Sequence, residues 1–303
     1  MNQHTLRETY RFRGKGLHTG AEVEMTILPA PDNYGIVFQR IDLGDELYVE
    51  ASVDNLWRMD RSTCLSKDGV QIFTTEHLMA ALSGMGVDNA LVQLDAPEIP
   101  ILDGSALPFV EAIKAIGLTE QRSERIFLTP EQPFEYFDND SGSQILVIPS
   151  DNFEVDVTID FNSKVLGVQE AHFDHAQDFA SQIACCRTFC FFHELEKLVE
   201  ANLIRGGNMD NAIVVVEDEV DKATIDRVGA AFGVDNLERL PQGYLSNVAL
   251  HFDNECARHK LLDVMGDFAL LGHPLNAKVI ARKPGHRVNT CAASILSKIL
   301  KQS

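Results

Sequence analysis

Apolar and polar positions alternate through much of the first third of the chain. Residues 23–28 read VEMTIL, which predicts a β-strand with Val23, Met25 and Ile27 on one face. Residues 29–34 carry Pro, Asp and Asn, and residues 35–40 resume the apolar pattern, so a hairpin is expected there. The period changes after Thr74 and Thr75. In EHLMAALSGMG, Leu78, Ala81 and Leu82 share one helical face, and Gly84 or Gly86 ends the helix. A strand over 87–94, a Pro- and Asp-rich loop over 95–108 and a helix over 108–117 follow.

The stretch TEQRSER, residues 119–125, is polar and lacks periodicity; it is expected to be a junction between domains at 1–122 and 123–303. The order then begins again. Strands are expected at 144–148 and 155–161, and a long helical region at 178–203, broken by Gly206 and Gly207. A strand at 212–216, an amphipathic helix at 255–271, a strand at 278–281 and a last helix ending at Lys301 complete the chain. Each half runs strands, helix, strand, helix. That order predicts a duplicated α+β unit, although the halves share no evident sequence identity.

Composition narrows the function. Of 303 residues, 26 are Lys or Arg and 45 are Asp or Glu, a formal charge of −19. Such an excess argues against nonspecific nucleic-acid binding and against docking on anionic membranes, while a few local bases can still hold a small anion. No apolar run approaches the roughly eighteen residues that span a bilayer, so no membrane insertion is expected. The first dozen residues lack the basic-then-apolar pattern of a signal peptide. The six cysteines (64, 185, 186, 190, 256 and 291) form no paired ladder, so reduced thiols in a cytoplasm are expected. Cys185, Cys186 and Cys190 lack the second CxxC or His-x-His that would complete a metal cluster. Neither G-x-S-x-G, a P-loop nor H-E-x-x-H occurs.

Three of the ten histidines stand in suggestive company. His77 follows Glu76 near a helix start, and His286 follows Pro284 and Gly285 in a loop after a strand. His259 and Asp263 lie four apart on a helix and therefore on one face, where they can chelate a metal ion or form a surface pair. One more histidine would make three ligands and leave a coordination position open, the catalytic arrangement for zinc. Glu76 could take a proton from the activated water, and Asp267, a turn beyond Asp263, could orient a protonated His286. The remaining histidines, His18 among them, read as structural or surface residues.

GKGLHTG at 14–20, TTEHLMAAL at 74–82, APEIPILDGS at 96–105, CRTFCF at 186–191, GGNMDNAIVV at 206–215, RHKLLDVMGD at 258–267 and KPGHRVN at 283–289 occur in this order. Together, over about residues 4–300, they resemble the UDP-3-O-acyl-N-acetylglucosamine deacetylases, zinc amidases that commit an acylated sugar to lipid A synthesis. The resemblance implies an α+β fold of two similar sheet-and-helix sandwich domains with the active site between them, each carrying a small insert. It implies zinc ligands at His77, His259 and Asp263, a general base at Glu76 and a general acid at His286 with Asp267 as its partner. Ferrous iron fits the same ligand set. Thr188 matches a threonine that helps bind the oxyanion. Lys260 and Lys283 match lysines near the substrate phosphates and nucleotide, and Phe161 and Phe189 match aromatics near the sugar.

The second insert, about 191–215, would form an apolar tunnel for the acyl chain walled by Phe192, Leu195, Leu198, Leu203 and Ile204; on residues alone a packed core helix is the favoured reading. Three positions depart from some relatives: Cys190 stands for Gly, Ser62 for a Cys near the metal, and Ser143 for a Lys. Some relatives continue into an acyl carrier protein dehydratase; this sequence stops at Ser303, ahead of any such domain. A monomer is expected. A silent sugar-nucleotide binder, an amidase for another acetylated sugar and an interaction scaffold are the competing readings; metal content and acetate release separate the first, the apolar insert speaks for an acylated substrate against the second, and the third predicts no metal.

Overall fold

In the computed structural model, which describes residues 1–44, 46–57, 61–174, 178–201 and 205–302, two five-stranded sheets share one topology. The first has the spatial order Tyr10–Lys15, Glu22–Pro29, Ala90–Leu94, Ile36–Arg40, Tyr48–Glu50. The second has the order Phe134–Asp138, Ser143–Pro149, Ala277–Arg282, Glu154–Asp160, Val168–Phe173. In each, the central strand comes last in the chain. It runs antiparallel to one neighbour and parallel to the other, and the outer pairings are antiparallel.

The helices are α1 (Glu76–Gly84), α2 (Leu107–Ile116), α3 (Phe192–Glu200), α4 (Lys222–Ala231), α5 (Glu255–Ala269) and α6 (His286–Leu300). A helix precedes and follows each central strand: α1 and α2 in the first half, α5 and α6 in the second. The α+β duplication read from element order is thus present, strand for strand and helix for helix.

Alternation explains the sheets' buried faces. Val23, Met25 and Ile27 point inward from Glu22–Pro29, and Ile145 and Val147 from its counterpart Ser143–Pro149 in the second sheet. Each fully buried side chain of this size is worth roughly 1.5–3 kcal/mol of apolar transfer. The equivalent helices α1 and α5 pack against each other across the junction of the halves. Residue 266 permits this close crossing. A Cβ on Gly266 would lie 2.1 Å from the backbone oxygen of Glu76, so α5 accepts the roughly 1 kcal/mol helix penalty of glycine to bring its acidic face onto the start of α1.

Two local expectations need correction, and the expected junction carries a strand. The strands over 23–28 and 35–40 are not hairpin partners, because Ala90–Leu94 lies between them and bonds to both. The connection over 30–35 is long enough to step across that central strand. The junction segment 119–125 is largely a strand, Leu118–Glu124, paired antiparallel with Asn2–Leu6. Its side chains are held by hydrogen bonds, such as Gln121 Nε2 to Ala30 O (2.9 Å), and so leave no apolar signature. The expected long helix over 178–203 is broken into a π-helical turn at Ala180–Ala184, a strand at Phe189–Phe191 and α3. The break follows from Arg187, whose guanidinium and backbone N–H bind the buried Glu255 carboxylate (Nε–Oε1 3.0 Å), and from parallel pairing of Phe189–Phe191 with Ile213–Val215.

The expected insert over 191–215 does not pack alone. A second, small core gathers Phe192, Met209, Val214 and Val216 with Ile225 and Val228 of α4 and with Leu237 and Leu245. Helix α4 has no counterpart in the reading of the sequence.

Candidate active site

Glu76 and His77 are the first two residues of α1. A strap at residues 62–64 fixes this helix start. The Thr63 carbonyl accepts from the N–H and the hydroxyl of Thr75 (3.1 Å each), and the Thr63 N–H donates to Glu76 Oε2 (3.0 Å). Next to it, the buried Glu98 carboxylate accepts from the backbone of His18 and Thr19 and from the hydroxyl of Thr74 (2.8 Å). The GLHTG loop, the APEIP loop and the start of α1 are thereby one hydrogen-bonded unit.

From the other half, α5 presents His259, Asp263 and Asp267 at successive turns, all buried. With 2% and 1% relative exposure, His259 and Asp263 are not a surface pair. Ligand atoms of His77, His259 and Asp263 lie within 4.8 Å of one another. His77 Nε2 is 3.8 Å and His259 Nε2 is 3.5 Å from Asp263 Oδ1. The two rings meet edge to face at 5.0 Å.

The chemistry of this donor set fits a cation. His259 Nδ1–H donates to the Cys186 carbonyl (3.0 Å), which leaves the Nε2 lone pair facing inward. Burial, with His259 nearby, depresses His77 to about 3, so it too is neutral. Burial opposes the charge on Asp263, but Lys260 and the surrounding histidines outweigh it and hold its carboxyl well below the usual range. Its Oδ2 takes the Lys260 ammonium (2.8 Å), whereas its Oδ1 is buried without a hydrogen-bond partner. Two imidazole lone pairs and an orphaned carboxylate oxygen thus converge, an arrangement that costs free energy unless a positive ion joins it.

His286 opens α6 and faces the same point. Its Nε2 is 3.7 Å from Glu76 Oε1, and its Nδ1 is 3.1 Å from Asp267 Oδ2. Asp267 also accepts from Asn289 Nδ2 (2.8 Å) and from the Thr63 hydroxyl, which itself lies 3.2 Å from His286 Nδ1. Burial alone would lower the His286 pKa, but Asp267, Glu76 and Asp263 outweigh it and lift it to about 9. Glu76 is raised to about 7, chiefly by burial, against the lowering influence of His286. Between about pH 7 and about pH 9 the environments thus favour an ionised Glu76 beside a protonated His286.

These groups stand in a cavity of about 610 Å³. Thr188, Lys260, Phe161 and Phe189 line it as well, the two phenyl rings 5.4 Å apart. Lys283 does not line it; its ammonium pairs with Asp160 (3.0 Å) near the surface. Lys260 is committed to Asp263 instead of extending freely. His18, read as structural, lines the cavity. Beyond the polar end, Leu195 and Leu198 form apolar wall, while Phe192 is buried in the second core instead of lining it, and Leu203 and Ile204 lie outside the described residues. Ser62 is buried beside Cys64, and the Ser143 hydroxyl donates to the Lys283 carbonyl (2.7 Å). Sequence reasoning missed Thr63. Its position in RSTCL carries no periodic or motif signal, and only the fold shows that it touches Glu76, Asp267 and His286 together.

The model of the UDP-3-O-acyl N-acetylglycosamine deacetylase family matches residues 3–227 and 239–298. The protein named "Bifunctional enzyme LpxC/FabZ" of Porphyromonas gingivalis is 44% identical over 301 residues, which are 99% of this chain and 65% of that relative. Its namesake from Bacteroides thetaiotaomicron is 41% identical with the same coverage, so the chain spans 65% of the length of both. The "UDP-3-O-acyl-N-acetylglucosamine deacetylase" of Cellvibrio japonicus is 38% identical over 98% of this chain and 90% of its own length.

Proposed function

Because the chain belongs to the UDP-3-O-acyl N-acetylglycosamine deacetylase family, we propose that it hydrolyses the N-acetyl amide of UDP-3-O-acyl-N-acetylglucosamine to acetate and the free amine, a step of lipid A biosynthesis. The observation that carries this reading is the convergence of His77, His259 and the unpartnered Asp263 Oδ1 beside a base and an acid. These three residues would hold a zinc or ferrous ion. Such an ion supplies Lewis acidity, lowering the pKa of water and polarising a carbonyl.

The protein groups divide the remaining work. Glu76, anchored by the Thr63 N–H, accepts the proton of the attacking water. The Thr188 hydroxyl, on the cavity wall, donates to the oxyanion that forms on the acetyl carbonyl. His286, held protonated by Asp267, gives its proton to the departing nitrogen, without which an amine is a poor leaving group. Phe161 and Phe189 pack on the sugar. Lys260 keeps the Asp263 carboxylate ionised and offers positive charge to the substrate phosphates, with Lys283 nearer the nucleotide. The apolar arm takes the acyl chain. Among the described residues no helix is long and apolar enough to cross a membrane, and none of the six cysteines is in a disulfide, which suits the cytoplasm proposed for this chemistry.

The test is acetate release from UDP-3-O-acyl-N-acetylglucosamine beside UDP-N-acetylglucosamine. The acylated substrate should be turned over with kcat/KM at least about a hundredfold higher, given about 0.8 kcal/mol per buried methylene over several methylenes. No acetate from either, or equal rates on both, would refute the assignment.

A further inference from the structure

Resting on the reading in which the apolar arm holds the acyl chain, we propose that α4 and the turn after it form the wall that sets which acyl chains fit, with Phe232 as the specificity-determining side chain. Phe232 lines the same cavity as Glu76 and His286, so one continuous space joins the reacting groups to this ring. Leu198, Met209 and Val214 line it too, which makes the surroundings of the ring apolar. The family match omits residues 228–238, the stretch that carries Phe232. The end of α4 and the turn after it thus lie outside the part of the chain that the family model covers.

The wall is built to be stiff. The Asp221 side chain caps α4 by accepting from the Thr224 N–H (2.8 Å). Ile225 and Val228 anchor the helix in the second core, and Arg227 reaches Glu196 on α3 (2.8 Å). At the far end the Phe232 and Val234 N–H groups both donate to the Gly229 carbonyl (2.9 and 3.0 Å). Gly233, at φ +71°, reverses the chain, and a Cβ on Gly229 would lie 2.5 Å from Val234 O. The VGAAFGV sequence thus folds the helix end back on itself and fixes the ring between the second core and the cavity. Partly buried, Phe232 leaves apolar surface that contact with an acyl chain would cover.

A fixed ring on such a wall discriminates by length. Each methylene that finds apolar cover improves binding about fourfold, and methylenes beyond the space collide with it. The experiment measures kcat/KM for acetate release from a series of UDP-3-O-acyl-N-acetylglucosamines of increasing chain length, using the full chain and its Phe232→Ala, Phe232→Leu and Phe232→Trp variants. Phe232→Ala should move the optimum to longer chains, with about a fourfold gain for each newly accommodated methylene. Phe232→Leu should move it less, and Phe232→Trp should move it to shorter chains. The conservative leucine variant keeps the test decisive if the alanine variant folds poorly. Active variants with an unmoved length profile would overturn the proposal alone. Absence of acetate release by the unaltered chain on every substrate would overturn the deacetylase reading and this inference with it.

Discussion

Replacing Glu76 with glutamine is expected to slow acetate release by about 10²–10⁴-fold, the range typical of a positioned general base. Glutamine keeps the shape and can still accept the Thr63 N–H now bound at 3.0 Å. It loses the one property the mechanism needs, a carboxylate that can be protonated. Glu76 is 3% exposed and stands at the start of α1 beside His77, so bulk water is poorly placed to substitute for it. Measured as kcat with the preferred acyl substrate, a variant within tenfold of the unaltered protein would contradict this role. Metal content should be unchanged, since Glu76 is not among the three converging ligands.

The second large effect belongs to His286. Its replacement by alanine should cost at least about two orders of magnitude in kcat and should also change the pH profile. The sign follows from the groups. Glu76 must be unprotonated, so activity rises as pH passes its pKa of about 7; His286 must be protonated, so activity falls as pH passes its pKa of about 9. A bound dication favours the Glu76 carboxylate and disfavours the His286 cation, so it lowers both limbs. Asp267→Asn removes the leading charge that raises His286 and should shift the alkaline limb to lower pH. If His286→Ala keeps that limb at its original position, the limb belongs to another group and the acid assignment fails.

How much of this was legible in the sequence depended on distance along the chain. His259, Asp263 and Asp267 could be placed on one face because four-residue spacing on a helix is a local property. Strands with inward Val and Ile could be read for the same reason. The duplicated order of elements showed the α+β class, but not which strands pair, since Ala90–Leu94 enters between two strands more than fifty residues earlier. Partnerships made by hydrogen bonds were silent. Leu118–Glu124 looked like a linker because polar contacts hold it, and Thr63 meets Asp267 across 204 residues of sequence. Helix α4 carries a sparse signal, because only Ile225 and Val228 recur at helical spacing to face the small satellite core. Residue spacing could not bring His77 to His259; the resemblance carried by the ordered motifs suggested it, and the α1–α5 crossing at Gly266 supplies the physical means.

The central claim is that His77, His259 and Asp263 hold a divalent ion on which turnover depends. The most direct measurement is metal content per chain, taken alongside acetate release, for the unaltered protein and Asp263→Ala before and after dialysis against a chelator. The prediction is about one zinc or ferrous ion in the unaltered chain, loss of ion and activity together on chelation, recovery of both when metal is restored, and weak retention in Asp263→Ala. Undiminished acetate release from metal-free protein would contradict the account.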